Sequence, residues 1–145
     1  MFGAYSDYVQ AIARVLLASI FLVTGLGVVF GGAAAFNGFQ GMVAQTGVPM
    51  VGLVTVLVVA LKVFGGAALA LGFKARYVAL VLAVFTALTI VLVHSPATWN
   101  DPAYGTVNFL MAIKNLSIIG GLLLIANNGA GAMALRCNSI CTWCK

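Results

Sequence analysis

Residues Val51–Phe73 read VGLVTVLVVALKVFGGAALALGF, an apolar run of membrane-spanning length broken by one charge, Lys62. A helix needs about 20 apolar residues to cross a hydrocarbon core roughly 30 Å thick. Three further stretches reach that length: Ala11–Phe30, Tyr77–Val93 and Asn108–Ala126. In lipid, backbone N–H and C=O groups must pair within the segment, so all four predict helices; none alternates with the period of two that a membrane barrel requires. Composition points the same way. Of the 145 residues 63% are hydrophobic and 6% charged, and Glu is absent, an inventory that cannot cover a water-facing surface. The expected fold class is all-α, an integral membrane four-helix bundle over residues 1–131, followed by a short tail over 132–145.

The basic residues suggest how the bundle lies in the membrane. Arg14 precedes the first apolar core, Lys74 and Arg76 fill the link between spans two and three, and Arg136 and Lys145 lie in the tail. The two opposite connections, residues 31–50 and 94–107, hold no Lys or Arg and one acid, Asp101. The positive-inside rule then puts both termini in the cytoplasm, with Tyr5, Tyr8 and Tyr77 at the inner interface and Trp99 and Tyr104 at the outer one. A net charge of +5 raises the question of nucleic acid, but these residues are scattered and build no basic face with stacking aromatics, so no nucleic-acid partner is expected. Within 31–50, a short interfacial helix over Ala33–Ala44 precedes a Gly47-Val48-Pro49 turn. Ala33-Ala34-Ala35 imitates an export cleavage site, but Asp7 and the length of the apolar run argue against a cleaved leader.

Two lysines lie inside the spans, Lys62 and Lys114, and no acidic residue shares those spans. A charge at bilayer depth costs about 2.5–3.5 kcal/mol on insertion scales, so such groups face a protein interior, a watery cavity or a partner. At 1.5 Å per residue Lys62 sits about 16 Å below the outer end of its span, near the midplane, and Lys114 about 9 Å below the start of its own. Regular periodicity puts Gly65, Gly66 and Leu69 on the Lys62 face. Asn108 and Asn115 add a polar stripe to span four that should turn inward, and His94 closes span three at the same level. These five residues, Lys62, Lys114, Asn115, His94 and Asn108, are the candidate ligand- or partner-binding groups. Gly25, Gly65, Gly66, Gly120 and Gly121 are candidates for close helix packing. Thr86 and Thr89 are expected to bond back to their own helix. Cys137, Cys141 and Cys144 form a C-x3-C-x2-C tail, a weak metal signal because three thiols leave a metal one protein ligand short; no metal is expected.

Arg14-Val-Leu-Leu through Gly25-Leu-Gly27, the Gly47-Val48-Pro49 turn, Gly65-Gly66 with Leu71-Gly72-Phe73, His94-Ser95, and Phe109-Leu-Met-Ala-Ile-Lys114-Asn115-Leu through Gly120-Gly121 together resemble the DoxX family of small bacterial membrane proteins. The resemblance covers about residues 11–131. It implies four helices with both termini inside, a location in the bacterial cytoplasmic membrane, and an association with quinone-linked oxidation. Lys114, Asn115 and His94 match the family pattern. Two positions depart from it: Val28 stands where members commonly carry Lys, and Lys62 where they carry Glu.

The function expected from this is a small integral subunit of a redox-linked, quinone-associated membrane complex, holding quinone or lipid and doing little chemistry alone. The alternative is an assembly subunit whose Lys62 meets a carboxylate from another membrane subunit. Transport of a small anion ranks third, because four spans are few and no pair of broken helices is evident.

Overall fold

A computed structural model describes residues 3–131 and 134, with side chains from residue 7 onward except Thr98. The described chain is helical, with no strand among those residues. Helix α1 is Gly3–Phe30, α2 Gly32–Ala44, α3 Val51–Leu71, α4 Ala75–Leu92 and α5 Gly105–Asn128, with a 3-10 turn at Pro96–Thr98. Four of them, α1, α3, α4 and α5, are long and apolar enough to cross a membrane. The short α2 is the helix expected within 31–50.

Local chemistry sets the helix ends. Gly72 takes φ 77 and stops α3: its N–H donates to Leu69 O at 3.1 Å, and the Phe73 N–H donates to Ala68 O at 2.9 Å. This pairing occupies carbonyls that the helix end would otherwise leave bare, and the left-handed turn suits a residue without Cβ. Lys74, at φ 43, then directs the chain into α4. At the far end, Asp101 Oδ1 accepts from the N–H groups of Ala103 at 2.8 Å and Tyr104 at 3.0 Å, folding the turn that leads into α5.

The core is small and built largely of small side chains. Ala18 and Phe21 of α1, Leu69 of α3, Ala79, Leu82 and Ala83 of α4, and Leu122 of α5 form one buried cluster. Glycines bring the axes together around it. A methyl at Gly66 would press on Leu22 and Phe21, at Gly65 on Leu82, at Gly121 on Leu17, and at Gly25 on Lys62 and Val63. Gly120 differs: a methyl there would meet nothing within 4 Å, so it contributes no close approach among the described residues. Large apolar side chains such as Val23, Phe30, Phe64 and Leu124 point outward, the arrangement expected where lipid is the solvent.

Arg14 is the first departure from the sequence reading. Expected only to mark the inner side, it is 3% exposed, with Nε donating to Ala70 O at 3.3 Å and Nη1 donating to Ala130 O. A guanidinium presents five donors in a planar fork, which lets one side chain tie the end of α3 to the segment after α5. Gln10 packs against Gly131 and Arg76 against Gly129, so both ends of the described chain meet at one end of the bundle.

The second departure lies in α3. Leu61–Gly65 forms a π-helical turn in the middle of the span. One π turn adds a residue to the local repeat and shifts the side chains around it off the regular 3.6-residue register. Around this turn Lys62 and Gly66 both approach α1, at Gly25 and at Leu22 with Phe21, Gly65 meets α4, and the Lys62 side chain lines a cavity.

Candidate functional site

A cavity of about 360 Å³ lies between the helices at the end of the bundle away from the termini. All five helices line it. From α3 comes Lys62, from α5 Lys114 and Asn115, from the end of α4 His94, and from α2 Phe39 and Val43. The structure thus brings four of the five sequence-predicted groups to one space. The fifth, Asn108, stands behind His94: its Oδ1 lies 3.3 Å from His94 Nδ1, and it is not itself part of the wall. This contact orients the ring through Nδ1. The His94 carbonyl accepts from Trp99 Nε1 at 3.2 Å, and the Trp99 ring meets Phe109 edge-on at 5.1 Å between centroids. The imidazole is therefore held by Asn108, and the His94 backbone by Trp99.

The two lysines differ in setting. Lys62 Nζ sits 4.8 Å from the centroid of the Phe39 ring, a cation–π contact that substitutes for water on one side of the ammonium. Lys114 is exposed towards the outside of the bundle while also lining the cavity, and its Nζ lies 3.0 Å from Met111 Sδ, a weak acceptor. Both lysines border the same cavity. Asn115 is 8% exposed, and its side-chain amide makes no hydrogen bond among the described residues. Thr24, Thr86 and Thr89 also line the space, and each hydroxyl donates to its own helix, to Ile20 O at 2.7 Å, Leu82 O at 2.7 Å and Phe85 O at 2.9 Å. Their protons are spent, as expected for the two α4 threonines, so they offer acceptors only. The donors left for a guest are the lysines and Asn115.

Acidic groups are absent from this wall. Asp7 and Asp101 are the chain's acidic side chains, and neither lines the cavity. A second, larger hollow of about 590 Å³ between α1, α2 and α3 holds no ionisable side chain; Val28 is on its wall. Size alone would favour that hollow, but the chemistry lies in the smaller one. Among the described residues no cluster of His, Cys, Asp or Glu is suited to hold a metal. Cys137, Cys141 and Cys144 lie outside the described residues.

Phe39 and the π turn at Leu61–Gly65 belong to the site and carried no advance signal in the sequence. Phe39 reads as one apolar residue of an interfacial helix, and the Gly65-Gly66 pair after Lys62 reads as close helix packing.

The sequence profile of the family described as DoxX matches residues 9–95, a range that includes Lys62 and His94. The chain belongs to the DoxX family. Among its relatives, the inner membrane protein YqjF of Escherichia coli K12 is 41% identical over 124 residues, 86% of each chain. The inner membrane protein YphA of the same organism is 32% identical over 134 residues, 92% of each chain. No solved structure matches significantly. With four membrane-length helices and such relatives, this DoxX protein is a multi-pass inner-membrane protein.

Proposed function

We propose that this DoxX protein is a small binding subunit of a redox-linked membrane assembly, and that its two-lysine cavity holds a lipid-soluble molecule such as quinone by an oxygen-bearing head group. The single observation that carries this reading is the convergence of Lys62 and Lys114, from different spans, with Asn115 on one mostly apolar space. Ligand cavities run from about 300 to 1,000 Å³, and this one lies near the lower end, the scale of a one-ring head group with its tail outside. The residues fit a quinone: ammonium and amide groups donate to carbonyl oxygens, and the threonine oxygens accept from hydroxyls. Bound quinone would supply two-electron redox chemistry; the chain's own residues bind, orient and exclude water. Catalysis by the subunit alone is not part of the proposal.

The charge distribution supports an orientation with both termini in the cytoplasm and the cavity in the outer half of the bilayer. It also supports a division into a bundle over 1–131 and a tail over 132–145. Pairing of Lys62 with a partner's carboxylate is the weaker reading, because the amine lies inside the bundle over Phe39, and a partner would have to insert a side chain between the helices.

The test is extraction of the protein from membranes in mild detergent and assay of bound quinone. The reading expects near-stoichiometric quinone, lost in Lys114→Leu together with electron transfer in the parent membranes. No bound quinone and unchanged electron transfer in Lys114→Leu would contradict it.

A further inference from the structure

The charge balance of the cavity narrows the ligand further. Two ammonium groups, from half-buried Lys62 on α3 and exposed Lys114 on α5, border this one cavity. Like charges that share a low-dielectric space are costly unless something of opposite sign stands between. Among the described residues no acid lines the space: Asp101 Oδ1 accepts from the backbone of Ala103 and Tyr104, and Asp7 lies near the start of α1, at the terminal end of the bundle. Asn115, more than nine-tenths buried, adds an amide with no hydrogen-bond partner among the described residues. The rest of the wall is mostly apolar, including Ile20, Phe85 and Ile118, with His94 and threonines among them. Leu88, Leu92 and Lys114 line the space and are also exposed on the outside of the bundle, so the cavity opens sideways, where lipid would be.

We infer that the ligand is an anionic amphiphile, an oxyacid head of carboxylate or phosphate type on an acyl chain, with its charge held between Lys62 and Lys114. The inference rests on reading this cavity as a ligand site and adds the sign of the ligand's charge. A carboxylate or phosphate accepts charge-assisted bonds from both ammonium groups and from the Asn115 amide, which neutral carbonyls do less strongly. Its chain would lie along the apolar wall and leave through the Leu88 and Leu92 side. Free fatty acid and the phosphate of a phospholipid share this chemistry.

Titration of the full chain in phosphatidylcholine nanodiscs with radiolabelled oleate tests it. One saturable site is expected, displaced by unlabelled oleate but not by oleyl alcohol, which has the same chain and no charge. Lys62→Gln and Lys114→Gln should each weaken oleate by about tenfold or more, while Lys62→Arg stays within about threefold. If Lys62→Gln fails to fold, the contrast between oleate and oleyl alcohol on the unaltered chain still decides. Displacement by dioleoyl phosphatidic acid would assign the natural source to phospholipid, and resistance to it would assign a free fatty acid; both support the inference. Equal displacement by oleyl alcohol, or lysine substitutions that leave oleate affinity unchanged, would overturn it. Decylubiquinone separates the two proposals: saturable decylubiquinone binding without oleate binding would sink the anionic ligand and keep the site, and binding of neither would sink both.

Discussion

Arg14 and the Lys62–Lys114 pair are cations set among apolar helices, at opposite ends of one bundle. Arg14 is wrapped: it is buried, and the Ala70 and Ala130 carbonyls accept its protons. The lysines are not wrapped: one faces an aromatic ring and the other a thioether, in a cavity without an acid. The difference separates two uses of charge in a membrane. A cation whose acceptors belong to the fold is a fastening, and its loss is felt as instability. A cation whose acceptors are missing is a binding group, and its loss is felt by the guest.

The comparison can be attacked first at its stable end. Arg14→Met strands the Ala70 and Ala130 carbonyls and unties α3 from the chain beyond α5; a loss of about 3 kcal/mol is expected, read as a lower midpoint of denaturant unfolding in detergent. Arg14→Lys should recover only part of this, because a point charge cannot span both carbonyls as a fork does. An Arg14→Met protein as stable as the parent would remove the fastening role.

Packing around the same core sharpens the picture with a smaller effect. Gly66→Val places a methyl about 3.0 Å from Leu22 and needs α1 to shift, costing about 1–3 kcal/mol in the same assay. Gly120→Ala, on the open face, should be neutral or stabilising by up to about 1 kcal/mol, from backbone entropy alone. Equal losses at the two glycines would contradict the helix arrangement.

The smallest stability effect belongs to the cavity. Phe39→Leu removes the ring over Lys62 Nζ and should cost about 1 kcal/mol or less in stability, while weakening ligand retention measurably. A loss as large as that of Arg14→Met would mean that α2 fastens the bundle and is more than part of the cavity wall.

Much of this was legible in the sequence, and the exceptions have physical causes. Span number and helical class follow from apolar length, because lipid leaves the backbone few options. Lys62, Lys114, Asn115 and His94 stand out because polar groups are rare in such spans, and all four reach one space. That Lys62 and Lys114 share it was not readable, since the rotation of α3 depends on a π turn that no residue pattern announces. The burial of Arg14 was missed for a different reason. Near a span end an arginine reads as an interface charge, and only the folded chain shows that the segment after α5 crosses over it. Gly120 looked like a packing residue because glycine beside Gly121 is ambiguous by one position, a rotation of about 100° around a helix.

The central claim is that the lysines serve a guest and Arg14 serves the fold. Its most direct test is the unfolding midpoint, in ligand-free detergent, of the Lys62→Met, Lys114→Met double variant beside Arg14→Met. Replacing two unbalanced cations with apolar groups of similar length should leave the double variant as stable as the parent or more so, while Arg14→Met unfolds well before both. A double variant that unfolds as early as Arg14→Met would show that the lysines also fasten the bundle, contradicting the account.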